Sequence, residues 1–494
     1  MRVNMTVYAL SMTPDFPFWA GDFARNLRRL QASTGSTVHQ FEQLFGCWIA
    51  PWRLAQQDEG EHSRDRLWNL RLVFWTFLWQ VAQAGASCRE AIRQAQALCQ
   101  ANGRRCPPNT TSAFCQARAA LPWDRLQQIH NSVVAEADRV IASGDLWCGC
   151  RVLAIDGSTV TAPDTPENQK AFPQQSVQQP GCGFPIIRLV ALLSLATGML
   201  VGWAQGNWHQ HEVVLLQTLW DYFRAGDVLL ADRGFCNWAL LAQCAQRGLH
   251  AVFRVKGSMR GDFRRGQRLS HDERLVRWHK PVQPAWTVSP QLWAKLPQVL
   301  TLRLVRCRLN FPGFRTQQVI LVTTLLDRAR FPASKLAELY YRRWSMELTL
   351  RNLKTTLQLD QLSCKTPENL EREIRMHFLV HNLVRRLMLE AARRHRAPLN
   401  RISFAGALAA ARRYGEALLQ IRSQRRRCHL QAELFGVLAA DLVAERPGRR
   451  EPRAVKRRPK PYPRLMCHRS RFKEIRHQNR YRANSPSNPK LSRP

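Results

Sequence analysis

A mixed α/β core flanked by helices is the fold class predicted for this 494-residue chain, and three observations predict it. Short β-rich runs alternate with amphipathic helical runs from about residue 151 onward. Mainly helical sequence lies on both sides of that stretch. The third observation is bulk: 45% hydrophobic content in a chain this long is enough for a large core and for more than one domain. Charge narrows the class further. There are 74 Lys plus Arg against 36 Asp plus Glu, giving a net charge of +38 and a pI near 11.1. Such a surface attracts polyanions, and with so large a core the chain fits a basic enzyme acting on nucleic acid better than a basic tail protein.

The first 150 residues read as a helical, DNA-binding accessory domain. LWNLRLVFWTFLWQVAQ, from Leu67 to Gln83, is too rich in tryptophan and leucine to be a linker. REAIRQAQAL (Arg89 to Leu98) is followed by the breaker ANGRRCPPN and then by TTSAFCQARAAL, which Asn109 or Thr111 could cap. This is either a helix-turn-helix that brings Gln116 and Arg118 to DNA or an ordinary helical hairpin, since the connection is longer than the usual tight turn.

From Arg151 the predicted elements are strand RVLAID, a hairpin of two buried strands in LVALLSLATGMLVGWA turning at Thr197-Gly198, and helix HEVVLLQTLWDYFRA. Strand DVLLAD, helix NWALLAQCAQRG and strand HAVFRV follow. Three early strands and then alternating helix and strand is the order of a ribonuclease H-like fold. A β-rich insertion at about 256–330, with strand-like runs QVLTLRLVRCRL and QQVILVTTLL, interrupts it. The core is expected over 151–395, a helical C-terminal region over 396–445, and a basic tail, disordered in isolation, over 446–494. The tail is read as a sequence-independent phosphate contact or as a merely solubilising extension.

The 14 cysteines are scattered, and Cys148 with Cys150 lacks a second pair at zinc-ligand spacing, which points to a reducing compartment and to thiols used as small core residues. The first residues carry no signal-peptide pattern, and the longest apolar stretch, Leu189 to Ala204, is too short for a bilayer. A cytoplasmic protein with no membrane partner is expected.

The segment YYRRWSMELTLRNLK places Tyr340, Arg343, Glu347 and Lys354 at i, i+3, i+7 and i+14, one narrow face of a helix, with Arg351 among them. Leu339, Met346, Leu350, Leu353 and Leu357 form the opposite, apolar face. One carboxylate thus stands among cations and a phenol. On an arbitrary helix this would be a solvated face of i, i+4 ion pairs. Two further aspartates at predicted strand ends, Asp156 in AIDGST and Asp232 in LLADRGF, change the reading, because three carboxylates can hold divalent metal for phosphoryl transfer. His209, His211 and Glu212 resemble a metal cluster, but they precede a helix without further ligands and are read as capping and dipole interactions.

The chain here resembles the DDE transposases of bacterial insertion sequences, specifically insertion sequence family four, whose signature Tyr-x2-Arg-x3-Glu-x6-Lys is matched at every position by Tyr340, Arg343, Glu347 and Lys354. Similar blocks occur at VLAIDGSTVTAPDTPENQKAF, GDVLLADRGF and KTPENLEREIRMHFLVHNLVRRLM, so the resemblance covers roughly residues 90 to 390. It implies that Asp156 bridges two magnesium (or manganese) ions, with Asp232 on one and Glu347 on the other. Tyr340, Arg343, Lys354 and Arg351 are then DNA-binding neighbours: the cations neutralise phosphates, and Tyr340 donates to a phosphate or stacks on a displaced base. The implied activity is recognition of terminal inverted repeats in double-stranded DNA, cleavage through a hairpin intermediate, and joining of the 3′ hydroxyl to target DNA. A homodimer would bring two ends together at the bacterial nucleoid. The family's tryptophan for a flipped base is not assigned by motif, since Trp286 and Trp293 both stand in the insertion. The alternatives are a ribonuclease H-like nuclease that cuts without joining, and a non-catalytic DNA-binding descendant.

Overall fold

The computed structural model describes residues 39–55, 67–257, 261–308, 318–444, 468 and 471. The basic tail lies outside them apart from two isolated residues. No helix among the described residues is long and apolar enough to cross a membrane.

The described strands form one nine-stranded sheet in the order β3-β2-β1-β4-β5-β9-β8-β7-β6. β1 (Val152–Thr161), β2 (Ile186–Ser194) and β3 (Leu200–Asn207) are an antiparallel meander. Its second turn falls at Gly198, whose φ of +70° an L side chain rarely adopts, as the Thr197-Gly198 pair predicted. β4 (Val228–Ala231) and β5 (His250–Arg254) then add in parallel to β1. The intervening helix Trp238–Gln246 is buried from Trp238 to Cys244, Gln243 included, and is apolar at its other covered positions. The helix expected over HEVVLLQTLWDYFRA is shorter: α-helix ends at Leu216 and a 3₁₀ segment continues to Tyr222.

The β-rich segment extends this same sheet. β6 (Gln267–Ser270), β7 (Glu273–His279), β8 (Val299–Arg308) and β9 (Gln318–Thr323) are antiparallel to one another, and β9 pairs with β5. Both faces of β8 are covered, so Arg303 is fully buried and bonded to Glu273 and to the Phe331 carbonyl.

Helices Leu70–Ala82, Cys88–Ala101, Thr111–Ala119 and Trp123–Arg139 precede the sheet. The long helix Pro367–His395 packs against several of them and against Phe404–Gln420 and Gln424–Ala440. It is tied to the sheet by Asn382, whose side-chain amide bonds both the N–H and the carbonyl of Leu200. Neither Asn109 nor Thr111 caps Thr111–Ala119: Thr110 is the N-cap, and the Asn109 side chain accepts from Arg93 and Gln96 instead. Arg118, one of two residues a helix-turn-helix would offer to DNA, is buried against Phe77 and bonds Gln80 and Cys364. Gln116 is exposed.

Candidate active site

Asp156 lies in the middle of β1, not at its end, because β2 pairs along the whole strand and carries it on to Thr161. On the other side the parallel pairing with β4 is Val152↔Val228 through Ala154↔Leu230. Continued by two residues, the same register sets Asp232 beside Asp156 where the strands part. The carboxyl ends of parallel strands are where an open α/β sheet receives a ligand. Gly157 and Ser158, beyond the strand end expected at Asp156, are therefore strand residues.

Each aspartate is oriented by a nearby backbone amide. Gly157 N–H donates to Asp156 Oδ1 at 2.9 Å, and Gly234 N–H donates to Asp232 Oδ1 at 2.7 Å. A Cβ on Gly234 would come to 2.9 Å from that oxygen, so a side chain there would displace the Asp232 carboxylate. Among the described residues Asp232 forms no ion pair with the exposed Arg233. Burial is the main cause that pushes the Asp156 carboxyl up to about 6; Gly157 N–H and Arg343 oppose it, while the Asp232 and Glu347 carboxylates add to the rise.

The single helix expected from Tyr340 to Lys354 is three segments: Ala333–Arg342, Trp344–Arg351 and a π turn, Asn352–Thr356. At the first junction Arg343 N–H bonds the Tyr340 carbonyl and Met346 N–H bonds the Arg343 carbonyl, three residues back in each case; at the second, Leu357 N–H reaches the Asn352 carbonyl. Leu339, Met346, Leu353 and Leu357 are buried as the apolar stripe predicted. Glu347 still returns to β1, because Arg343 spans the gap. Its Nη2 donates to Glu347 Oε1 at 2.7 Å while Nη1 stands 3.8 Å from Asp156 Oδ2.

Lys354, on the wide π turn, donates from Nζ to Ser158 Oγ at 3.2 Å, two residues along β1 from Asp156. Tyr340 is only 6% exposed, with Arg343 5.7 Å from its ring centroid, so base stacking is not open to it in this arrangement. Arg351 is exposed.

Sequence reasoning missed one neighbour. Glu212 opens the short helix Glu212–Leu216, and His211 is its N-cap, with Nδ1 accepting the Val213 N–H. Yet the Glu212 carboxylate leans on Gly157, where an added Cβ would overlap it. Burial raises this carboxyl, Arg188 lowers it, and Asp232 raises it again. A dipole partner at a helix start gives no local sign of that approach. Trp293 is buried against Trp238, whereas Trp286 is 73% exposed and stands edge-on to His211.

Carboxylate oxygens are the donors a hard divalent cation takes, and Asp232 and Glu347 both act on the Asp156 carboxyl and raise it. Among the described residues no three acidic, His or Cys side chains are gathered closely enough to hold a metal. Arg343 supplies the positive charge between Asp156 and Glu347.

Residues 147–383 match the family model of the transposase DDE domain, and the chain is a DDE transposase. The transposase InsG for insertion sequence element IS4 of Escherichia coli strain K12 is 26% identical over 404 residues, 81% of this chain and 88% of that one. The putative transposase InsZ of the same strain is 29% identical over 138 residues, 28% of this chain and 46% of the relative. Among solved structures, a piggyBac transposase synaptic complex with hairpin DNA is 12% identical, with a TM-score of 0.38 over 81% of this chain and 84% of that chain.

Proposed function

We propose that β1 to β5 form a ribonuclease H-like core in which Asp156, Asp232 and Glu347 are the catalytic carboxylates and hold two magnesium or manganese ions. The observation that carries this reading is the parallel register of β1 and β4, which aligns the two aspartates, with Glu347 linked to Asp156 through Arg343. Bound divalent cations would generate the attacking oxygen and offset charge on the leaving one. In the absence of cation Arg343 keeps the two carboxylates from repelling each other; once displaced, its guanidinium is free to clamp a phosphate. Lys354 presents an ammonium beside β1 to the DNA backbone, and Tyr340 supports Arg343 from beneath. Trp286, exposed beside His211, is the tryptophan available to take up a displaced base.

On this reading the chain binds the terminal inverted repeats of its element, cleaves them and joins the freed 3′ hydroxyls to target DNA. Two copies pair the two ends, at the nucleoid of a bacterial cytoplasm. Gln116 and the basic tail add contacts outside the catalytic centre, the tail without regard to sequence. Asp156→Asn, Asp232→Asn and Glu347→Gln should each reduce magnesium-dependent nicking of an element-end duplex by at least about a thousandfold, about 4 kcal/mol of barrier, with end binding retained in a mobility shift. A variant that nicks at a near-normal rate removes its residue from the site.

A further inference from the structure

Two thiols meet across neighbouring N-terminal helices. Cys88 is the first residue of Cys88–Ala101, Cys115 stands on Thr111–Ala119, and their Sγ atoms are 3.8 Å apart. Cys115 is exposed and Cys88 half-buried, so a small reagent that reaches the first finds the second directly behind it. Most of the other described thiols are closed off: Cys99, Cys150, Cys236, Cys244, Cys307 and Cys364 are buried. From van der Waals contact, side-chain rotation can bring two sulfurs toward the disulfide length of roughly 2 Å.

The polar surroundings lie on the Cys88 side, while burial and the neighbouring Cys88 thiol push the Cys115 thiol up, Arg118 opposing them. Arg118 Nη1 lies 3.6 Å from Cys88 Sγ and Gln80 Nε2 lies 3.5 Å from it. A thiolate formed on Cys88 therefore faces a guanidinium as well as the amino end of its own helix. Arg118 cannot swing away easily, since Gln80 Oε1 and Cys364 Sγ hold it at 2.9 and 2.8 Å. Nothing in the DNA chemistry above uses this arrangement.

We propose that Cys88 and Cys115 form an oxidative modification site, which a low-molecular-weight disulfide such as oxidised glutathione converts into an intramolecular disulfide stapling the two helices. The Cys115 thiolate attacks one reagent sulfur, forming a mixed disulfide and releasing one glutathione thiolate. The Cys88 thiolate then attacks the Cys115 sulfur, breaks the mixed disulfide and expels the second. The protein gives up two electrons and two protons, and the reagent takes both to become two thiols. The staple adjoins the exposed Gln116, but its formation does not depend on that residue's role.

The test uses the full chain, reduced, desalted, exposed to oxidised glutathione at neutral pH and then alkylated. Intact mass should fall by about 2 Da before alkylation, and a non-reducing digest should join the Cys88 and Cys115 peptides through a link that dithiothreitol reverses. Cys115→Ser should give no link, whereas Cys88→Ser should accumulate a stable glutathione adduct on Cys115. The proposal is overturned if the wild-type protein keeps a glutathione adduct on Cys115 with Cys88 alkylated, if neither thiol reacts, or if the link joins a different cysteine.

Discussion

Arg343 donates to Glu347 and faces Asp156, so the site without cation carries its own counter-charge. Arg343→Ala would leave two carboxylates facing each other and should destabilise the cation-free protein by about 1–2 kcal/mol. Added manganese should then raise the melting temperature of the variant more than that of the wild type. An equal gain in both would show that Arg343 does not stand where the cation goes. The three carboxylates stand out in the sequence because each lies in a short block with a distinct pattern: two hydrophobic runs followed by aspartate, and a cationic helix face around one glutamate. What the sequence could not disclose is contact at long range. The approach of Glu212 to Gly157 and the burial of Arg118 depend on packing between segments far apart in the chain.

At the scale of elements, β1 to β5 and the Thr197-Gly198 hairpin followed from alternation and turn residues, whereas the break at Arg343 did not. YYRRWSMELTLRNLK keeps a helical period throughout and contains no glycine or proline, so nothing local announces the junction or the π turn. The wider turn is nonetheless where Lys354 reaches Ser158. β8 teaches the complementary point: nothing local in QVLTLRLVRCRL marks one arginine for the core, yet Arg303 is fully buried and paired with Glu273. Arg303→Ala should therefore cost roughly 2–3 kcal/mol in denaturant unfolding, since Glu273 would keep only the more exposed Arg328 as its counter-charge. Arg303→Met combined with Glu273→Leu should cost less than the single change. If the double variant is the weaker one, the pair is not acting through a buried charge.

Across the whole molecule, the long helix Pro367–His395 gathers neutral histidines into the core. Burial holds His381 down to about 3; burial and then Arg375 hold His130 down to about 4. Their folded forms bind protons less readily than the unfolded chain, in which histidine titrates near 6.5, so the stabilisation is complete above that pH and is lost as pH falls toward 4. Between pH 6.5 and 4 each should remove about 1.4 kcal/mol per unit, and His381→Leu should flatten the dependence measured by unfolding at pH 7.5 and 5. An unchanged slope would mean that His381 is protonated in the fold. The central claim is that three carboxylates from β1, the end of β4 and the Trp344–Arg351 helix form one cation site. Its most direct test is to count manganese bound to the protein–element-end complex by electron paramagnetic resonance. The account predicts two ions in the wild type and fewer, or markedly weaker, binding in each of Asp156→Asn, Asp232→Asn and Glu347→Gln; two ions at unchanged affinity in all three variants would contradict it.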